Sequence, residues 1–104
     1  MTRRVLIAEA DADVRELLEL TVRRLGYEAV AAHDDGKVDA ALLEPGCAVG
    51  RSVLRRFGAD APPVVCLSIY PREDGFEPAA SVAYLVKPAS SSEIGDALRG
   101  VFGV

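Results

Sequence analysis

A chain of 104 residues, half of them hydrophobic and 6% aromatic, can close one core of ordinary size and is too short for two, so a single domain over residues 1–104 is expected. Its formal net charge of −4 argues against nucleic acid as a direct partner, because phosphate binding draws its affinity from a basic surface that releases counterions. No apolar run approaches the roughly 20 residues of a membrane span, and Thr2-Arg3-Arg4 leads into a short apolar stretch rather than a signal segment, so a cytoplasmic chain with protein partners is expected.

Val5 to Ala8 is a short continuous apolar run, the pattern of a strand buried on both faces of a parallel sheet. From Asp11 the period changes: Val14, Leu17, Leu18, Val22 and Leu25 form one face of an amphipathic helix. Asp11 or Asp13 can cap it, Asp13 and Glu16 having the spacing of a capping box, and Gly26 supplies a left-handed stop. Tyr27 to Ala32 reads as a second strand, followed by the turn His33-Asp34-Asp35-Gly36. Val38 to Leu43 is the third strand, since a helix confined between Gly36 and Pro45-Gly46 would have barely two turns. Gly50 to Phe57 fits a short surface helix with Val53, Leu54 and Phe57 on one face and Arg51, Arg55 and Arg56 on the other, broken by Asp60-Ala61-Pro62-Pro63. Val64 to Ile69 is the strongest buried-strand signal, and it contains Cys66, read with Cys47 as a reduced thiol rather than half of a disulfide. Pro71 to Pro78 is turn-rich, with at most one helical turn near Glu77 to Ser81; Val82 to Val86 is the fifth strand. Ser90 and Glu93 form a capping box opening a last helix through Ile94, Ala97, Leu98, Val101 and Phe102.

Five strands separated by helices or loops predict a doubly wound parallel sheet, whose site lies beyond the carboxyl ends of the strands. Glu9, Glu44, Ser68 and Lys87 each stand at or just past such an end. Singly, each is an ordinary strand-end or surface residue; together they aim polar groups from four strands at one edge. His33, without a ligand constellation around it, reads as a turn residue, and Arg51, Arg55 and Arg56 as a solvated helix face.

The opening Val5-Leu6-Ile7-Ala8-Glu9-Ala10-Asp11-Ala12-Asp13-Val14-Arg15-Glu16-Leu17-Leu18 resembles that of a response-regulator receiver domain, and Tyr84-Leu85-Val86-Lys87-Pro88 resembles its ending. Between them, Asp39 to Glu44 is similar to the strand that ends on the phosphoacceptor aspartate, and Val65-Cys66-Leu67-Ser68 to the strand that ends on a Ser or Thr switch residue. The resemblance covers essentially the whole chain. It implies a flavodoxin-like α/β fold, strand order 2-1-3-4-5, with helices on both faces. By position it places the acidic pair at Glu9 and Ala10, the acceptor at Glu44, the hydroxyl at Ser68, the switch aromatic at Tyr84 and the phosphoryl-binding lysine at Lys87, followed by a cis proline.

The pattern departs from the family where its chemistry lies. Ala10 has no ligand atom, and Glu44 extends the acceptor position by one methylene, about 1.5 Å, so both magnesium binding and in-line phosphoryl transfer are compromised. Between Gly36 and Glu44 there is no room for a second helix, and Pro71, Gly75 and Pro78 should reduce the fourth. The expectation is a degenerate, non-enzymatic receiver without cofactor or metal, acting independently of phosphorylation. It should pair Glu44 with Lys87, and it should dock a protein or a second copy of itself through the fourth-helix region, the fifth strand and the last helix. The alternatives are a working phosphoacceptor using Glu44 or a nearby acid, and a small flavin- or ligand-binding domain, the latter disfavoured because Glu9 to Asp13 is acidic rather than rich in Gly, Ser or Thr.

Overall fold

The computed structural model describes residues 2–103. Five parallel strands, β1 (Arg4–Ala8), β2 (Glu28–Ala31), β3 (Ala40–Leu43), β4 (Val64–Ser68) and β5 (Ser81–Val86), form one sheet in the order β2-β1-β3-β4-β5. Helices α1 (Ala12–Arg24) and α3 (Ser91–Phe102) cover one face and α2 (Ala48–Phe57) the other. This is the expected flavodoxin-like arrangement. Alternation along the strands sorts the core into two layers. Val5, Ile7, Leu42, Val65 and Leu67 meet Leu18, Val22, Ile94 and Leu98 on the α1 and α3 side. Leu6, Ala8, Ala41, Leu43, Val64 and Cys66 meet Val53 of α2.

Local signals explain most boundaries. Asp11, not Asp13, caps α1, its carboxylate accepting from the Asp13 and Val14 amides, so the alternative box with Glu16 does not form. Gly26 follows the helix at φ +90°, a conformation that a side chain would strain. Ser90 and Glu93 make the capping box of α3 reciprocally, at 3.1 and 3.0 Å. Leu17, expected on the buried face of α1, is 56% exposed; Leu18 and Val22 carry that packing instead. Helix α2 starts two residues earlier than expected because the Cys47 thiol accepts from the Gly50 amide and caps it.

Two of the connections contain no helix. From β2 to β3 the chain crosses the α2 face as a loop, with Val38 buried in the core. Arg4 fastens this crossover: its amide donates to Asp39 Oδ2 at 2.8 Å, its guanidinium donates to the Lys37 carbonyl at 2.6 Å, and it pairs with Glu28 and Asp34. The Asp39 amide in turn donates to the Arg4 carbonyl, so the ladder of β3 begins at Ala40 rather than Val38. The connection from β4 to β5 goes further than the expected reduction of a fourth helix. It holds turns but no helix, and no helical turn forms near Glu77 to Ser81. Pro71 and Pro78 remove amide donors, and Gly75 sits where a Cβ would lie 1.9 Å from the Tyr84 hydroxyl, so the loop is shaped to lie across Tyr84. With α2 the single α-helix on that side among the described residues, Val86 of β5 and Phe76 of the loop stay about half exposed or more, at 45% and 61%, and Val82, beside α3 at the start of β5, is 56% exposed.

Candidate functional site

The parallel sheet brings Glu9, Glu44, Ser68 and Lys87 to one edge, as the spacing of the strands requires. Lys87 is the hub. Its ammonium donates to both carboxylate oxygens of Glu9, at 2.8 and 2.7 Å, and also contacts Glu44 Oε2. The expected Glu44–Lys87 pair is therefore present, and Glu9 makes it a triad. The side chains of Glu9, Lys87 and Glu44 are 3%, 15% and 20% exposed. Burial by itself would lower the Lys87 pKa, but the hydrogen bonds and negative charges of Glu44 and Glu9 outweigh it and raise the pKa above its ordinary value. Three acceptor contacts match the three donors of an ammonium, and two carboxylates around one ammonium leave the cluster with one net negative charge. The Lys87–Pro88 peptide is cis, as the resemblance implied.

Glu44 is held from behind as well as from the front. Its carbonyl accepts from the Cys47 thiol at 3.3 Å, and Gly50 at the start of α2 packs so tightly that a Cβ there would lie 1.8 Å from the same oxygen. The shortened loop from Glu44 to Gly50 thus closes on Cys47 and on a glycine that only its lack of a side chain admits. Both cysteines are reduced, and burial raises the Cys66 pKa.

The side chains of Ser68 and Tyr84 make no hydrogen bond to the triad among the described residues, although the Ser68 carbonyl accepts from the Lys87 amide at 2.8 Å. They converge on one loop residue instead: the Tyr70 amide donates to Ser68 Oγ at 3.1 Å, and the Tyr84 hydroxyl donates to the Tyr70 carbonyl at 2.9 Å. Arg72 lies over the Tyr84 ring at 5.8 Å and is anchored by two hydrogen bonds to Glu77, 2.8 and 2.7 Å long. Those bonds, with a third from Ser81, hold the Glu77 pKa down to about 2. The two candidate switch positions therefore clamp the β4–β5 loop through the amide and the carbonyl of a single residue. Strand-end spacing pointed to Ser68 and the resemblance to Tyr84, but their shared partner depends on the path of the loop, which has no sequence signal.

The family's magnesium does not fit this donor set. Ala10 offers no oxygen, both Glu9 oxygens are engaged by an ammonium, and an ammonium beside Glu44 repels a dication. Among the described residues no group of three or more His, Cys, Asp or Glu side chains is placed to hold a metal ion. Among the described residues no helix is long and apolar enough to cross a membrane.

No family model matches the chain. The transcriptional regulatory protein PdtaR of Mycobacterium tuberculosis is 36% identical over 108 aligned residues, covering 88% of this chain and 53% of that protein. The chain thus spans about half the length of the curated relatives it matches. Among solved structures, a two-component response regulator from Clostridium difficile superposes with a TM-score of 0.82 at 16% identity, covering 98% of this chain and 97% of that one. The receiver domain of a Pseudomonas aeruginosa sensor histidine kinase, with magnesium in its active-site cleft, gives 0.81 at 21%, covering both chains fully. The response regulator TrrA of Thermotoga maritima, in complex with magnesium and beryllium fluoride, gives 0.75 at 25%, covering 96% of this chain and 99% of that one. Strand order, the placement of Glu44, Ser68 and Lys87, and likeness in both sequence and structure converge, and the chain belongs to the response-regulator receiver domains.

Proposed function

We propose that the chain is a phosphorylation-independent receiver, a cytoplasmic protein-interaction module without catalytic activity of its own or a resident cofactor, in which Glu44 fills the acceptor position. The observation that carries this reading is the occupied lysine. In the sequence pattern Lys87 is the group that would contact a phosphoryl oxygen, and here all its donors are engaged by Glu9 and Glu44. An incoming phosphoryl group would have to break these contacts, while the acid it needs at position 10 is an alanine. Ser68 and Tyr84, which would relocate in a switching receiver, already share Tyr70 and hold one arrangement. A ligand shifts a conformational equilibrium only through differential affinity for the two states; a site whose anion is built in has lost the effector that would discriminate between them.

The same reading includes docking of a protein, a second copy of the chain included, on the β5 face. What supports it is the exposed Val86 and Phe76, where the helix-free β4–β5 connection leaves the sheet thinly covered, with Val82 exposed on the same edge strand. The test is an amide correlation spectrum recorded with and without acetyl phosphate and magnesium. Unchanged resonances for Ser68, Tyr70, Tyr84 and Lys87 are expected. A second set of peaks at these positions would return the chain to the working receivers.

A further inference from the structure

The helix-free β2–β3 crossover leaves a cleft of about 630 Å³ beside the carboxyl ends of β1 and β2. Its lining is mixed: Ala31, Ala32 and Val49 supply apolar surface, and Arg15 from α1, His33 from the crossover, and Ser52 and Arg56 from α2 supply polar groups. The two arginines are anchored in a particular way. Arg15 donates to the Glu9 carbonyl at 3.4 Å and Arg56 to the Asp34 carbonyl at 3.1 Å, both neutral acceptors. Arg4, Arg23, Arg72 and Arg99 each reach a carboxylate, whereas neither Arg15 nor Arg56 forms an ion pair among the described residues. Asp35, Asp39 and Asp60 border Arg56 in the neighbouring depression but do not pair with it. The one carboxylate lining the cleft, Glu9, is 3% exposed and already bound by Lys87.

Anchoring by a carbonyl orients a guanidinium without cancelling its charge and leaves most of its five donors unused. A pair of such forks with a hydroxyl and an imidazole is a donor set for a tetrahedral oxyanion, which Arg matches through two parallel hydrogen bonds. The volume lies within the range of small-molecule sites, roughly 300 to 1,000 Å³, and exceeds what a bare phosphate fills. The apolar surface would take an organic remainder.

We propose that this cleft binds a small phosphomonoester, with Arg15, Arg56, His33 and Ser52 on the phosphate and Ala31, Ala32 and Val49 under the organic part. The ligand would enter where a crossover helix would otherwise pack, beside the triad, whose Glu9 lines the cleft but keeps its carboxylate on Lys87; Glu44 is not among the lining residues, so the site stands whether or not Glu44 accepts phosphate.

The test is an amide titration of the whole chain with two probes, inorganic phosphate and adenosine monophosphate, at low salt, where screening is weakest. Saturable shifts confined to Arg15, His33, Ser52 and Arg56 are expected for both, with the ester binding more tightly. Replacement of Arg15 and Arg56 together by Gln should weaken the ester about a hundredfold, about tenfold per lost charge-assisted contact, while the urea midpoint of folding stays the same. The pair Arg51→Gln and Arg55→Gln, on the same helix but outside the cleft, should change nothing. Three outcomes would overturn the proposal. These are the absence of saturation by either probe, shifts that follow every surface arginine alike, and phosphate binding as tightly as the ester, which would leave an oxyanion site with no use for the apolar surface.

Discussion

At the scale of single residues, Lys87 organises the site, and its two carboxylates differ in what they need from it. Glu9 is nearly inaccessible to water, whereas Glu44 keeps a fifth of its surface. Removing one partner of a buried ion pair leaves an uncompensated charge, which costs several kcal/mol, whereas partly exposed pairs contribute little. Lys87→Met should therefore destabilise the domain by about 3 kcal/mol in urea unfolding. Glu44→Gln should cost less than about 1 kcal/mol. Equal losses would mean that burial does not rank these contacts. The same lysine sets an alkaline limit. Because its folded pKa lies above the ordinary 10.5, its contribution is complete below that value and is lost as pH rises through the folded pKa. Stability measured towards high pH should fall in the native chain and run flatter in Lys87→Met. Parallel alkaline limbs in the two proteins would show that Lys87 is not the group titrating.

Among the elements, the sequence carried more about helices than about the connections. The reciprocal Ser90–Glu93 cap and the left-handed Gly26 follow from rules that act within a few residues, and the structure keeps both. The start of α2 was missed because a cysteine is not among the usual caps; Cys47 serves because its thiol lies between the Glu44 carbonyl and the Gly50 amide. Glu44 and Lys87 could be paired in advance because a parallel sheet brings all carboxyl ends to one edge and the family resemblance implies an acid joined to a lysine there. The second carboxylate on Lys87, the clamp of Ser68 and Tyr84 on Tyr70, and the hold of Arg4 on the β2–β3 crossover could not be read in advance. Each joins residues distant in sequence through loop paths that no periodicity encodes. Gly50 ties α2 to the site: a methyl there would meet the Glu44 carbonyl oxygen at 1.8 Å and its carbon at 2.8 Å, both backbone atoms that cannot swing aside. Gly50→Ala should lower stability by about 2 kcal/mol, at odds with the usual gain from alanine in a helix. A stabilised variant would show that the helix does not sit so close to Glu44.

For the molecule as a whole, losing two crossover helices transfers a burden from one sheet face to whatever binds it. On the α1 and α3 side Leu98 has no exposure, so substitution there reports on folding rather than docking. Along β5, an edge strand that carries no charged residue, Val82 beside α3 and Val86 remain about half exposed, and such edges are prone to association. Light scattering should therefore show a species larger than the monomer at high concentration, and Val86→Lys, which places a charge on that edge without touching the core, should return it to monomer. A strict monomer in the native chain, with no partner lost on that substitution, would count against docking through this face. The closed site makes the sharper claim, that the chain signals without being phosphorylated, and one measurement meets it directly: intact mass after prolonged incubation with acetyl phosphate and magnesium. The Glu9–Lys87–Glu44 triad predicts an unmodified mass, in the native chain and in Glu44→Gln alike; a phosphoryl adduct on the native chain that disappears in Glu44→Gln would contradict it.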